Sequence, residues 1–292
     1  MKMKELFDRG EFVVSAEVGP PKGIHVDELL EEAKTYLQGV HAVNVTDNQS
    51  SVMRLGSLGV CKALKDEGLT PIFQLPCRDR NRIALQSDLL SAAMLGIENL
   101  LLLTGDHTKM GDHPQAKPVF DLDSVSLLHT VGLLESGVDL GGNELVGEPP
   151  KFSKGAVVSP CSDSVDAQLA KMERKVAAGA EYFQTQAIFE PEKFIKFMEK
   201  AKQFGKPVQV GIIIPKSAGM AKFMNNNVAG IHVPDEMIEE LKADKEKTKA
   251  GITGVEIAAR IIKECKPYCQ GVHIMALGWE SKIPDLLKLA EI

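Results

Sequence analysis

No apolar run in the 292-residue sequence approaches the roughly 18 residues that a membrane-spanning helix needs. The opening MKMKELFDRGEF meets charge before a signal-peptide core can form, so a cytoplasmic protein without membrane contact is expected. No long Lys/Arg cluster is present, and the formal net charge is -6, which argues against an electrostatic grip on nucleic acid. A small anionic ligand needs only a few local lysines and stays open. There is no CxxC pair. The five cysteines, Cys61, Cys77, Cys161, Cys265 and Cys269, are odd in number and fit reduced thiols better than a disulfide framework. Cys265 and Cys269 have helical spacing and read as packing, with no nearby histidine to complete a metal site. Short-period repeats, low-complexity segments and a domain boundary are all lacking. A chain with 44% hydrophobic and 25% charged residues is too ordinary for a disordered or fibrous class and long enough for one large core.

What is present is a regular alternation. Apolar runs of strand length lie at Phe12 to Glu17, His41 to Thr46, Thr70 to Leu75, Asn99 to Thr104, Gly155 to Ser159, Glu181 to Gln186, Pro207 to Ile213 and Gly271 to Ala276. The fourth, NLLLLT, is apolar as a parallel strand buried on both faces must be. Val26 to Leu37, Val52 to Glu67, Arg80 to Leu95 and Asp166 to Ala178 carry apolar residues at spacings of three and four, as helices covering a sheet do. Gly39, Gly68, Gly96 and Gly179 follow them and supply left-handed turns into the next strand. Eight such units predict an α/β chain folded as one (β/α)8 TIM barrel over residues 1–292. Longer connections follow strand four, at Gly105 to Leu122, and strand seven, at Pro215 to Pro267, the latter with helical patterns at Ile238 to Lys247 and Val255 to Lys266. Both leave the carboxyl ends of strands, where a barrel places its active site. The Gly-rich stretch Leu133 to Lys154 reads as a hairpin or an ordered loop.

Function is therefore sought at the strand ends: Glu17, Thr46, Gln74, Thr104 to Asp106, Ser159, Gln186, Gly211 and Ala276 to Gly278. Two acids around one mouth, Glu17 and Asp106, suit a general acid and an electrostatic stabiliser. Glu17 sits in SAEVGPPKG, where two prolines stiffen the turn after the carboxylate, and Gly105 lets a ligand approach the backbone beside Asp106. A competing reading takes His107, Asp112 and His113 as metal ligands of a barrel hydrolase or lyase, although their spacing around Gly111 makes a poor rigid site. A non-enzymatic reading is an assembly subunit that retains the barrel but mainly binds a redox partner.

The residues Glu17, Pro20 and Pro21, the strand end Asn44 to Thr46, the pair Gly105 and Asp106, the run MERKVAAGA (Met172 to Ala180), and Thr185 with Gln186 together resemble the methylenetetrahydrofolate reductase family over nearly the whole chain. The resemblance implies a (β/α)8 flavoenzyme of one-carbon metabolism and methionine biosynthesis. Its flavin, FAD with FMN as the alternative, passes hydride to 5,10-methylenetetrahydrofolate and gives 5-methyltetrahydrofolate. No metal is implied. Glu17 then matches the general acid, Asp106 the acid that touches flavin and folate, and Gln186 the folate-side glutamine. Thr46, Asp47, Gln49, Gln74, Thr104, Gly105, Ser159, Arg174 and Lys175 match cofactor contacts, the last two near its phosphates. Three positions depart from well-known relatives: Thr104 stands for Arg, Gln74 for His and Ser159 for Tyr. Strand eight ends in Leu277, Gly278 and Trp279 rather than a more polar run. These changes weaken the usual dinucleotide pose, so the expected electron donor is either NADH or NADPH, or a partner redox protein, in a homo-oligomer or a hetero-complex. The chain ends soon after strand eight, so the regulatory domain of eukaryotic relatives is not expected.

Overall fold

A β-strand sends alternate side chains to opposite faces, and here the two faces have different chemistry. A computed structural model describes residues 1–228 and 230–292. Eight parallel strands, β1 (Val13–Val18), β2 (Ala42–Val45), β3 (Pro71–Pro76), β4 (Asn99–Leu103), β5 (Ser153–Val158), β6 (Tyr182–Ala187), β7 (Val208–Ile213) and β8 (Gly271–Met275), form a closed barrel in chain order. Closure is made by β1 on β8, from Val13 opposite Gly271 to Ala16 opposite Ile274, which leaves no strand edge unpaired. Helix α1 (Met3–Asp8) precedes β1. Helices α2 (Asp27–Tyr36), α3 (Ser57–Asp66), α4 (Arg82–Met94), α5 (Ser124–Glu135), α6 (Val165–Ala177) and α7 (Pro191–Ala201) follow β1 to β6. The β7–β8 connection holds α8 (Ala218–Asn227), α9 (Asp235–Ala243), α10 (Lys245–Lys249) and α11 (Ile252–Cys265), and α12 (Ile283–Ala290) follows β8. This is the expected (β/α)8 barrel, with its longest connections after β4 and β7.

The local differences have local causes. Helix α3 starts at Ser57 rather than Val52, because Asn48 and Ser50 take left-handed φ of 46° and 53° and the chain stays irregular until Gly56. The helix expected over 238–247 is two helices, parted at Asp244, whose carboxylate caps the N–H of Lys247 at 2.9 Å. The 133–154 stretch holds the end of α5, one antiparallel bridge between Val138 and Glu144, and the first two residues of β5. Gly68, Gly96 and Gly179 do take φ of 82°, 72° and 104° after their helices, whereas Gly39 does not enter the left-handed region.

The outer faces of the strands, with Val14, Ala16, Phe73, Leu102 and Ile212, pack on the helices in one continuous core. The lumen is built in layers. At its amino-terminal end Val13, Ala42, Ile72, Leu101 and Tyr182 form a separate apolar cluster with Met3 and Leu6 of α1, which closes the barrel floor. Helix α1 is fastened there by Met3 N–H to Asn99 Oδ1 at 2.8 Å and Lys4 N–H to Ser153 Oγ at 3.0 Å. Gly155 is required opposite Tyr182, since a Cβ there would lie 2.4 Å from the ring Cζ. The room so made lets Tyr182 Oη donate to the Leu100 carbonyl at 3.0 Å. The next two layers up are polar, and they make the site.

Candidate active site

Two residues above the apolar floor, Ser15, Asn44, Gln184, Gln209 and His273 fill the lumen with buried polar groups joined in one hydrogen-bonded network. Gln209 Nε2 lies 3.1 Å from the carbonyls of Val13 and Val272, which only accept, so the orientation of this amide is fixed. The same nitrogen faces Ser15 Oγ at 3.1 Å, and Gln184 Nε2 faces it at 3.3 Å. Both neighbours are donors, so the Ser15 hydroxyl hydrogen has one acceptor left, His273 Nδ1 at 3.2 Å. A neutral His273 therefore carries its hydrogen on Nε2. That nitrogen is turned toward Glu17, 3.6 Å from Oε2. The contact is longer than a hydrogen bond and is electrostatic.

Glu17 ends this ladder on β1, 8% exposed. Its Oε2 accepts from Gln74 Nε2 at 3.0 Å and its Oε1 from Gln49 Nε2 at 3.1 Å. The carboxyl group is thus held by three strands and a loop. A cavity of about 450 Å³ opens beside it, lined also by His25, Arg54, Leu277, Gly278 and Glu280. Such an arrangement can hold one proton-carrying group in a fixed direction at the edge of a pocket large enough for a small ligand.

The other expected residues fall into two groups. Thr46, Gly105, Asp106 and Ser159 close β2, β4 and β5 at the same carboxyl-terminal rim. Thr46 Oγ1 is a buried polar atom without a partner among the described residues, and Gly105 has φ 92°. Asp106 is exposed, and Thr104 is tied to α5 by accepting the N–H of Ser124 at 3.2 Å. Lys175 on α6 reaches the Val157 carbonyl of β5 at 2.6 Å. Burial pushes its ammonium down to about 8, Lys171 adds to the fall, and Asp123 opposes it. Arg174 beside it is exposed. Gln186 lies at a register irregularity between β6 and β7, where its Oε1 accepts the Ala187 N–H at 3.0 Å.

The second group is turned to other work. The Asp47 carboxylate accepts from Ser57 N–H and Oγ, both at 3.0 Å, and from Arg80 at 2.6 Å, with no side-chain exposure. It ties the end of β2 to the start of α3 and leaves nothing for a ligand. Gln74 and Gln49, expected against the cofactor, both donate to Glu17. The loop after β4 is fastened over the rim by Asp112, which pairs with Lys22 and accepts Met53 N–H at 3.0 Å. Lys22, then His113 and Met53, hold the Asp112 carboxyl well below the usual carboxylate range. This acid is a clasp between loops. His107 packs on Phe120, and no group of three or more His, Cys, Asp or Glu among the described residues is arranged to hold a metal, so the metal-hydrolase reading has no ligand set.

Sequence reasoning missed Ser15, His273 and Arg78. The first two sit inside apolar strand runs, and their signal is a polar residue at one height on several strands, two residues before Glu17 on β1. Arg78 lies in the charged run between the third strand and the helix expected from Arg80, yet it is 2% exposed.

The model of the methylenetetrahydrofolate reductase family matches residues 2–291. A 5,10-methylenetetrahydrofolate reductase of Pectobacterium carotovorum subsp. carotovorum is 26% identical over 87% of this chain and 82% of its own length. Methylenetetrahydrofolate reductase 2 of Schizosaccharomyces pombe is 26% identical over 99% of this chain, which spans 47% of that longer protein. The fold is shared with a Clostridium thermocellum protein that binds two copies of 5-methyl-5,6,7,8-tetrahydrofolic acid, at TM-score 0.68 and 14% identity, covering 99% of this chain and 98% of that one. With a family match along almost the entire barrel, the chain belongs to the methylenetetrahydrofolate reductase family of oxidoreductases.

Proposed function

We propose that this chain reduces 5,10-methylenetetrahydrofolate to 5-methyltetrahydrofolate with a bound flavin, FAD or FMN, and with Glu17 as general acid. The observation that carries the reading is the buried Glu17 carboxyl group at the top of the polar lumen, gripped by Gln74 and Gln49 at the edge of a cavity. The folate-binding C. thermocellum protein supports a barrel of this shape as a folate binder.

The rim residues fit a flavin. A polar ring edge and a phosphate need hydrogen-bonding groups to spare, and the rim offers the orphan Thr46 Oγ1 and the Gly105 backbone, while the half-buried Lys175 ammonium on α6, with Arg174 beside it, spends one hydrogen on the Val157 carbonyl and keeps two. Thr46, Gly105, Asp106, Ser159, Arg174 and Lys175 would hold the cofactor, while the side chains of Gln74, Gln49 and Asp47 serve the protein. When bound, a flavin supplies the hydride for the methylene carbon. The chain's own residues prepare that carbon. Glu17 gives its proton to the departing nitrogen of the five-membered ring, whose bond to the methylene carbon breaks, and the substrate opens to an iminium cation. Asp106 stabilises that cation from the β4 rim, and Gln186 contacts the folate with the Nε2 that its own backbone contact leaves free. Gln74 and Gln49 keep the Glu17 oxygens aimed, and Ser15 acts through His273 on the same carboxyl group.

The reading includes a cytoplasmic enzyme whose flavin is reduced by NADH, NADPH or a partner redox protein, in a homo-oligomer or a hetero-complex. No helix among the described residues is long and apolar enough to cross a membrane. The test is to load the purified chain with flavin, reduce it anaerobically with dithionite, add methylenetetrahydrofolate and measure methyltetrahydrofolate. Product formed with reoxidation of the flavin supports the reading, and a reduced flavin indifferent to the folate overturns it. Parallel bleaching with NADH or NADPH alone separates a nicotinamide donor from a partner protein.

A further inference from the structure

Arg78 has the largest of the fully buried side chains, two residues beyond β3 and directly beneath the β4 turn. Burying a guanidinium is costly unless its donors are used. One edge is used: Nε donates to Asp79 Oδ1 at 2.8 Å, and Nη2 donates to Asp79 Oδ2 at 2.6 Å and to the Asn48 carbonyl at 3.1 Å. Nη1 has no protein partner among the described residues, and it is absent from the atoms sealed away from solvent. It lies 3.7 Å from where a Cβ on Gly105 would stand, so it flanks the Gly105 and Asp106 backbone at the rim. The Arg78 carbonyl accepts Val119 N–H at 2.8 Å, which fastens the residue to the loop after β4 as well. The guanidinium plane is therefore fixed by its neighbours, and its one free corner points to the rim.

Resting on the flavin reading above, we propose that Arg78 Nη1 is a cofactor-binding group of this chain that donates to an oxygen of the bound flavin, a ring carbonyl or a phosphate. The charge-assisted bond places a positive charge on the β3–β4 side, where Thr104 offers none. Asp79 acts as the positioning residue, holding the other edge of the fork.

The experiment titrates riboflavin, FMN and FAD into flavin-free wild-type chain, Arg78→Met and Arg78→Lys, following quenching of flavin fluorescence. Methionine fills the stem of the side chain, Asp79 is exposed enough to solvate, and the Asn48 carbonyl keeps the Ser51 N–H at 2.9 Å. Loss of a charge-assisted hydrogen bond predicts affinity weakened by about 10- to 100-fold in Arg78→Met, with a smaller loss in Arg78→Lys. Equal weakening for all three flavins assigns a ring oxygen; weakening of FMN and FAD with riboflavin unchanged assigns a phosphate. Wild-type affinity for all three in a variant with the parent circular dichroism overturns the proposal. If Arg78→Met fails to fold, Arg78→Lys carries the test, and its parity with wild type overturns it equally. A wild-type chain that binds none of the three overturns the flavin reading and this proposal with it.

Discussion

Ser15→Ala removes one hydroxyl from the lumen, and its consequences can be followed atom by atom. Gln209 keeps two acceptors, the Val13 and Val272 carbonyls at 3.1 Å, and Gln184 keeps Asn44 at 3.1 Å and Gln209 at 3.0 Å. His273 Nδ1 alone loses its partner, inside a residue 4% exposed. One lost hydrogen bond with one buried acceptor left bare costs about 1–2 kcal/mol, which lowers Tm by roughly 2–8 °C for a chain of this size. The second effect is on the tautomer. Without the Ser15 hydrogen on Nδ1, only the longer electrostatic contact with Glu17 favours the imidazole hydrogen on Nε2, and the tautomer is less firmly set. The folate half-reaction should slow by about tenfold, equivalent to about 1.4 kcal/mol, while flavin reduction changes little. Anaerobic stopped-flow measurement of each half-reaction reads the rates, and nitrogen NMR of labelled histidine reads the tautomer. An unchanged tautomer with unchanged folate rate, or equal slowing of both half-reactions, would refute the chain of reasoning from Gln209 to Glu17.

Asp106→Asn keeps the shape of the side chain but removes its charge. Reduction of the flavin should become easier and reduction of the folate slower, and potentiometry with single-turnover folate reduction would place Asp106 elsewhere if neither moved. Lys175 titrates near 8 rather than 10.5, so between those values the folded chain holds fewer protons than the unfolded one and its stability rises with pH; below about 8 the buried charge opposes folding in full. A phosphate over Lys175 reverses the depression, so flavin binding near pH 9 should take up a proton, seen as calorimetric enthalpies that differ between buffers. Lys175→Gln should abolish the difference, and a wild-type enthalpy independent of buffer sinks the assignment. Gly155→Ala drives a Cβ to within 2.4 Å of Tyr182, and about 1–3 kcal/mol of overpacking should appear as a lower urea midpoint, partly restored by Tyr182→Leu. Absence of any loss would mean that the ring does not occupy the lumen floor.

The barrel was legible because its signals are local. NLLLL at 99–103 has strand length and strand composition, and Gly68, Gly96 and Gly179 mark helix ends through a backbone conformation that few other residues adopt. Helix α5 was harder to see, since it is apolar on most sides and lacks the polar stripe that periodicity needs. The acid at the end of β1 could be named from its strand end, its prolines and the family resemblance. Its supports could not. Gln74 reads as an altered cofactor contact only through the family resemblance, and its bond to Glu17 depends on the closeness of β3 to β1 across the mouth, which no local pattern shows. Asp47 similarly reads as part of a ligand loop until Arg80, 33 residues later, takes its carboxylate. Arg78 stayed hidden because burial of a charge depends on neighbours, Asn48 and Gly105, that come from two other loops.

The most direct test of the central claim is a single turnover. Reduced, flavin-loaded wild-type chain and Glu17→Gln are mixed anaerobically with methylenetetrahydrofolate, and flavin reoxidation is followed with product analysis. The amide keeps the size and the hydrogen-bonding reach of the carboxyl group but has no proton to give. Wild type should form methyltetrahydrofolate while Glu17→Gln stays reduced, with its flavin bound and its fold intact. Reoxidation of Glu17→Gln at the wild-type rate with the same product would contradict the account.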